Sequence, residues 1–343
     1  MHQVKYSERS TIIICVLIMF STVFFSCKSG NGSTIKIGIL FPNKTSNRYF
    51  KEQQYFTDKI GELKGECLFA FGDNNDQLQI QQAHELIEKG AQVLIVNSVN
   101  QNTAAAIVRE AHDNNIPVIA YDRIISNCDL DCIITFDNEK VGQLMASYML
   151  KVKPEGNYVL LGGDKTDRNA VYVKNGIMKE LQPQIASGKI KIVYDVFIEE
   201  WSKDNAYMNT LKYLQCSVIQ PDVIISSFDG MSAGAIKALA EYNLDGTVLL
   251  SGQDAELEAC RNIVKGKQSM TVYKPVKTLA YQSAEMAVNL AKGKSLPKTS
   301  LSVNNGFRDV PAYYIDPIGV DINNIKSTII SDGYQKEEDI YAQ

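Results

Sequence analysis

QVLIVNSVNQNTAAAIVREAHDNNIPVIAYD, residues 92–122, decides the fold class. Both ends are apolar on consecutive residues rather than on alternate ones, as in strands covered on two faces, and the middle repeats apolar residues at helical spacing. Strand, helix and strand within about thirty residues make a βαβ unit, whose crossover is right-handed. On the amino-terminal side, IKIGILF (35–41) and ECLFAF (66–71) read as strands. NRYFKEQQYFTDKIGEL (47–63) and DQLQIQQAHELIEKG (76–90), closed by Gly90, read as helices.

The alternation resumes with CIITFD (132–137), a helix over 138–151 and NYVLLGG (157–163). A helix from Asn169 to Leu181, KIKIVYDVFI (189–198), a helix over 205–215 and DVIISSF (222–228) come next. AGAIKALAEYN, TVLLSGQ (247–253), a helix through Ile263 and SMTVYK (269–274) complete a second series. One sheet of so many parallel strands would be unusually wide, so two doubly wound α/β lobes are expected. After VYKP (272–275) come a long helix and TSLSVNNGFRDVPAYYI (299–315), so the chain is expected to cross between lobes more than once, making a hinge. The expected division is 34–137 plus 275–303 in one lobe and 138–274 plus 304–343 in the other.

The chain has 343 residues, enough for about two domains at ~150 residues each. Its first 26 read as an address: Lys5 and Arg9 precede TIIICVLIMFSTVFF (11–25), which is short for a membrane span and suits a secretory signal. FFSC (24–27) resembles a bacterial lipobox, although Phe24 and Phe25 stand where that motif usually has Leu and a small residue. Cys27 is therefore the expected lipidation site, with residues 27–33 as tether and the membrane as a partner through several acyl chains. The folded part is expected outside the cytoplasm, in the periplasm of the cell envelope.

With 45% hydrophobic and 22% charged residues the chain is neither collagen-like nor disordered. Lys and Arg number 35 against 39 Asp and Glu, without a dense basic stretch, which disfavours nucleic acid as a partner. The three His are scattered, so no metal site is expected. Beyond Cys15 and Cys27, five cysteines remain; most sit in apolar runs, and Cys128 with Cys132 flank a loop that a local disulfide could close.

Ligands of open α/β sheets bind beyond the carboxyl ends of the strands. Those ends carry Asp122 and Arg123, Asp137, Asp164 and Asp167, Asp229, Asp254 and Lys274. Asp137, Asp229 and Asp254 also suit helix N-caps. Capping does not explain the Asp122–Arg123 pair or Lys274 before Pro275. Carboxylates mixed with a guanidinium and an ammonium suit a neutral polyhydroxyl ligand, whose hydroxyls both donate and accept. Tyr49 and Trp201, the one Trp, stand near the same ends, and flat rings pack on the C–H faces of sugars.

AYDRII (120–125), TFDNEKVGQL (135–144), SGKIKIV (187–193), SGQDAE (251–256), MTVYKP (270–275) and NNGFRDVP (304–311) resemble the xylose-binding proteins of bacterial ABC transporters, collinearly over nearly the whole mature chain. The resemblance implies the type I periplasmic binding fold: two Rossmann-like lobes with parallel sheets, three hinge crossings and a monosaccharide in the cleft. It implies sugar contacts at Arg48, Asp122, Arg123, Asp167, Asn169, Asp254 and Lys274, with Tyr49 at a Trp platform and Trp201 as the second ring. Phe228 stands where the family has a sugar-bonding Asn, and Arg168 replaces a neutral amide. The implied function is capture of a pentose, D-xylose foremost, by a monomer that delivers it to an ABC permease on closure, with no cofactor. A sugar sensor for a membrane signalling partner is the alternative. An enzyme is disfavoured, since no nucleophile elbow, zinc-protease or dinucleotide motif occurs, although a glycoside-processing site could also be lined by carboxylates.

Overall fold

Parallel pairing starts with β1 (Ile35–Phe41), which lies between β2 (Gly65–Phe71) and β3 (Val93–Val96). β3 pairs with β4 (Val118–Tyr121), and β4 with β5 (Cys132–Phe136). The computed structural model describes residues 34–44 and 47–342; the signal segment, Cys27 and the tether lie outside the described residues. The connecting helices are α1 (Asn47–Glu62), α2 (Asp76–Glu88) and α3 (Ala105–Asp113). α3 begins later than its sequence pattern because Asn100 Oδ1 takes the N–H groups of Asn102 (2.9 Å) and Thr103 (3.4 Å), holding that stretch as a turn. One face of the sheet packs Ile37, Ile39 and Ile95 with Phe56 of α1; the other packs Leu40, Leu94 and Val96 with residues of α2 and α3.

The second series forms its own sheet. Along the chain run α4 (Asn138–Val152), β6 (Gly156–Gly162), α5 (Arg168–Ala186), β7 (Ile190–Phe197), α6 (Lys203–Cys216), β8 (Val223–Ser226), α7 (Asp229–Ala240) and β9 (Leu249–Leu250). The strands lie parallel in the order β7-β6-β8-β9. α8 (Leu257–Val264) leads to β10 (Thr271–Tyr273), joined to this sheet by a bridge from Val272 to Gln253. α4 and α5 touch backbone to backbone at Gly142 and Gly176. A Cβ on Gly142 would meet Val173 O at 1.9 Å, and one on Gly176 would meet Glu139 O at 2.0 Å.

The return helix α9 (Val276–Ala291) packs on the first sheet and on α1. The final strands differ from the expectation that 304 onward joins the second lobe. β11 (Ser302–Asn304) pairs antiparallel with β12 (Asp309–Ile315), and β12 lies parallel to β5, so both extend the first sheet. The physical reason is the free side of β5: β12 covers it, sending Val310 and Ala312 into one core layer and Ile315 into the other. Of the three final strands, β13 (Ile318–Val320) goes to the second series, antiparallel to β10, and residues 335–339 also reach it, bonding to Ala255 and to Arg261 of α8. The chain thus passes between the sheets after β5, after β10 and after β12.

The carboxyl-terminal segment forms a π-helical turn (Lys326–Ile330) and the short α10 (Glu337–Ile340). Between them Tyr334 is buried against Tyr273, ring centres 5.1 Å apart, and its carbonyl accepts from Lys51 of α1. All five described cysteines are free. Cys132 belongs to one face of the first sheet and Cys128 to the other, so the suggested local disulfide does not form.

Candidate functional site

The residues at the strand ends gather into a buried charged cluster. Asp122, just past β4, takes a left-handed φ of 66°, a conformation costly for most side chains and tolerated by Asp. Its N–H donates to Ile134 O (2.9 Å), and its carbonyl accepts from Thr135 Oγ1 (2.7 Å) and Asn169 Nδ2 (3.2 Å). The carboxylate is thereby turned to α1, where Arg48 Nη1 meets Oδ2 at 2.9 Å. Oδ1 is buried without a hydrogen-bond partner, and so is Arg48 Nη2. Burial acts to raise the Asp122 pKa, but Arg48, then Lys274 and Arg123, hold it below the usual carboxylate range.

Arg123 reaches the other series: its Nε lies 3.3 Å from Asp167 Oδ2, and its Nη1 donates to Ser98 O at 3.2 Å. Asp167 is the N-cap of α5, accepting from Asn169 N (2.9 Å). The Asn169 side chain donates to Asp122 O and accepts from Asn138 Nδ2 (3.0 Å), at the first passage between the sheets. Arg168 also links the two series, donating from Nη1 to Asn304 O at 3.2 Å. Asp254, with φ 91°, pairs with Lys274 Nζ at 2.8 Å. The Phe136 ring lies 5.8 Å from the Arg48 guanidinium carbon and 5.5 Å from Lys274 Nζ, so both cations are within cation–π range of one ring.

The rings are arranged differently. Tyr49 is 8% exposed and packs on Phe41 (5.3 Å) inside the first core. Trp201 ends a tight turn in which Glu200 and Trp201 have φ of 58° and 54°, held by Glu200 N donating to Asp164 Oδ2 at 2.7 Å. Asp164 is therefore occupied by this turn and by its own loop, accepting from Thr166 N and Oγ1 as well. The indole stands edge-on to Phe228 (6.3 Å, 88°), and its buried Nε1 has no partner. Phe228 occupies the N-cap position of α7, where its side chain makes no capping bond.

Of the three capping expectations, Asp137 holds, accepting from Lys140 N at 2.9 Å. Asp229 instead lies inside α7, buried, and accepts from Glu256 N, Gln268 and Thr271. Asp254 precedes α8 by more than a cap position and pairs with Lys274.

Glu52 is the residue the strand-end reasoning missed. It is 0% exposed and accepts from Arg48 Nε at 2.9 Å. Burial pushes its carboxyl up to about 7 against the pull of Arg48. The signal was in α1: Tyr49, Glu52, Phe56 and Ile60 form its buried stripe, and Glu52 is the charge within it. Asn97 and Ser98, just past β3, were also missed; both are buried with side-chain atoms that have no partner.

The arrangement offers unpaired donors and acceptors in a buried, mixed-charge setting with an aromatic corner. Residues 37–295 match the model of the periplasmic binding protein domain. The chain is 40% identical over 328 residues to the D-xylose-binding periplasmic protein of Haemophilus influenzae, covering 96% of this chain and 98% of that one. It is 37% identical to the protein of the same name from Escherichia coli, with the same coverage. An ABC transporter solute-binding protein from Clostridium phytofermentans, solved with β-D-glucose bound, superposes with a TM-score of 0.82 at 26% identity over 89% of this chain and 99% of that one. With the domain matched over most of its length and a relative this similar end to end, the chain belongs to the periplasmic binding protein family, whose members bind solutes and are not enzymes.

Proposed function

We propose that this protein captures a monosaccharide, a pentose with D-xylose foremost, between its two sheet-bearing lobes and presents the closed form to an ABC sugar permease. The observation that carries the reading is the pair of unused atoms at Arg48 and Asp122. One buried donor, Nη2, and one buried acceptor, Oδ1, belong to side chains already bonded to each other. Sugar hydroxyls suit both kinds of atom, since a hydroxyl can accept from a guanidinium and donate to a carboxylate. Buried polar groups left unpaired cost about 1–3 kcal/mol each, and a ligand that pairs them removes that cost. Trp201 Nε1 and the Asn97 amide add further unpaired groups of the same kind.

Closure follows from contacts that join the two series. Arg123 to Asp167 and Asn169 to Asp122 form only when the strand ends of both sheets face each other. A sugar held from both sides favours that state by its differential affinity for it. The xylose named for the two curated relatives supports the pentose; Phe228, in place of the family Asn, is the point at which the specificity of this chain departs. Cys27 is the proposed lipid anchor, which holds the protein at a membrane.

Trp201 is the one tryptophan of the chain, so its emission reports the cleft. Adding D-xylose is expected to give a saturable change in intrinsic fluorescence, absent in Trp201→Phe. No change with any aldopentose or aldohexose would overturn the reading.

A further inference from the structure

Arg48 has three guanidinium nitrogens to place. Nη1 goes to Asp122, Nη2 is unpaired, and Nε goes to Glu52 Oε1 at 2.9 Å. A guanidinium is planar, so the bond at Nε together with the bond at Nη1 determines where Nη2 points. We propose that Glu52 is a positioning residue for sugar capture: held in the core behind Arg48, its carboxylate fixes the plane of the guanidinium and thereby the donor offered to the sugar. This rests on the sugar-binding reading and extends it to the pH response of the site.

The geometry makes that grip sensitive to protonation. The groups facing Glu52 are Arg48, Tyr49 and Tyr55 from its own helix, Tyr121 and Asp122 from the end of β4, and Tyr334 from the carboxyl-terminal segment. Arg48 is the one cation among them and is shared with Asp122. Burial brings the Glu52 carboxyl to about 7, so it loses its charge as the medium passes from pH 8 to pH 6. A protonated carboxyl is a weaker acceptor for the Nε–H than a carboxylate. The guanidinium is then held less firmly at Nε, and sugar affinity falls. Glu256, also brought to about 7 by burial, is set against Asp254 and Glu258, and Lys203 is the cation beside it.

The test is calorimetric titration of the full mature chain with D-xylose at pH 8 and pH 6. Wild type is expected to bind at least threefold more weakly at pH 6. Glu52→Gln, which keeps an acceptor and cannot titrate, is expected to show the same affinity at both pH values, whereas Glu256→Gln keeps the wild-type drop. Glu52→Leu is expected to lose at least tenfold at pH 8; if it does not fold, Glu52→Gln carries the comparison. A wild-type profile that is flat or opposite in sign, or a Glu52→Gln profile that matches wild type, overturns the inference. Failure of wild type to bind any aldose at pH 8 overturns the sugar-binding reading instead.

Discussion

Gly163 and Trp201 share one volume: a Cβ on Gly163 would stand 2.2 Å from the indole Cη2 and within 2.4 Å of two further ring atoms. The ring can lie over this strand end only because residue 163 has no side chain. Phe228 closes the other side, at right angles to the indole.

Gly163→Ala therefore tests the indole position without removing the indole. The backbone at 163 is outside the left-handed region, so alanine adds a clash and no conformational strain. Overpacking of this kind costs about 1–3 kcal/mol. Sugar affinity is expected to fall at least tenfold, with a loss of a few degrees in Tm, measured by calorimetry and thermal unfolding. Wild-type affinity in this variant would contradict the role given to Trp201.

Sequence alone suggests that Asp254→Ala should abolish binding with little effect on the fold. The structure changes the second half of that expectation. Lys274, 6% exposed, has Asp254 as its partner at 2.8 Å, and removal of one member of a buried pair costs about 3–5 kcal/mol. Asp254→Ala is expected to lose stability of that order, and the double variant Asp254→Ala/Lys274→Met to recover most of it without recovering binding. Urea unfolding of both variants gives the answer.

Glu256 links stability to pH. Its carboxyl is at about 7 in the folded chain and near 4.5 as an unperturbed group, so between these values the folded state binds the additional proton. Stability is therefore expected to fall as pH rises from 5 to 8. Glu256→Gln removes its share of the fall. Equal urea midpoint shifts for wild type and variant between the two pH values would contradict this.

Phe228→Asn restores a polar group beside Trp201 and a side chain able to cap α7, where Phe228 makes no bond. A new hydrogen bond contributes about 0.5–1.5 kcal/mol. Affinity for aldoses that present a hydroxyl at that edge is expected to rise by roughly threefold to tenfold, read from a calorimetric panel of pentoses and hexoses. An unchanged ranking of the sugars would remove Phe228 from the specificity of the site.

The legible part of the site was the part written at the strand ends. Asp122 and Arg123 close an apolar run and cannot face into a sheet, and Asp137 precedes a helix with a free N–H to cap. Glu52 was hidden because a carboxylate in a helix reads as solvated surface until the buried stripe through Tyr49, Phe56 and Ile60 is known to include it. The destination of β12 was hidden for another reason. Its apolar pattern fits the edge of either sheet, and the open side of β5, a feature of tertiary structure, decides it. Asp229 looked like a cap for α7; its burial against Gln268 and Thr271 depends on β10 passing behind it.

The central claim is capture of a pentose through the unpaired atoms of Arg48 and Asp122, and calorimetry of the wild-type chain across aldopentoses and aldohexoses tests it most directly. D-xylose is expected to bind tightly, with one site per chain and a clear preference over L-arabinose and D-ribose. Absence of binding heat with every aldose, or tight xylose binding with no preference over arabinose and ribose, would contradict it.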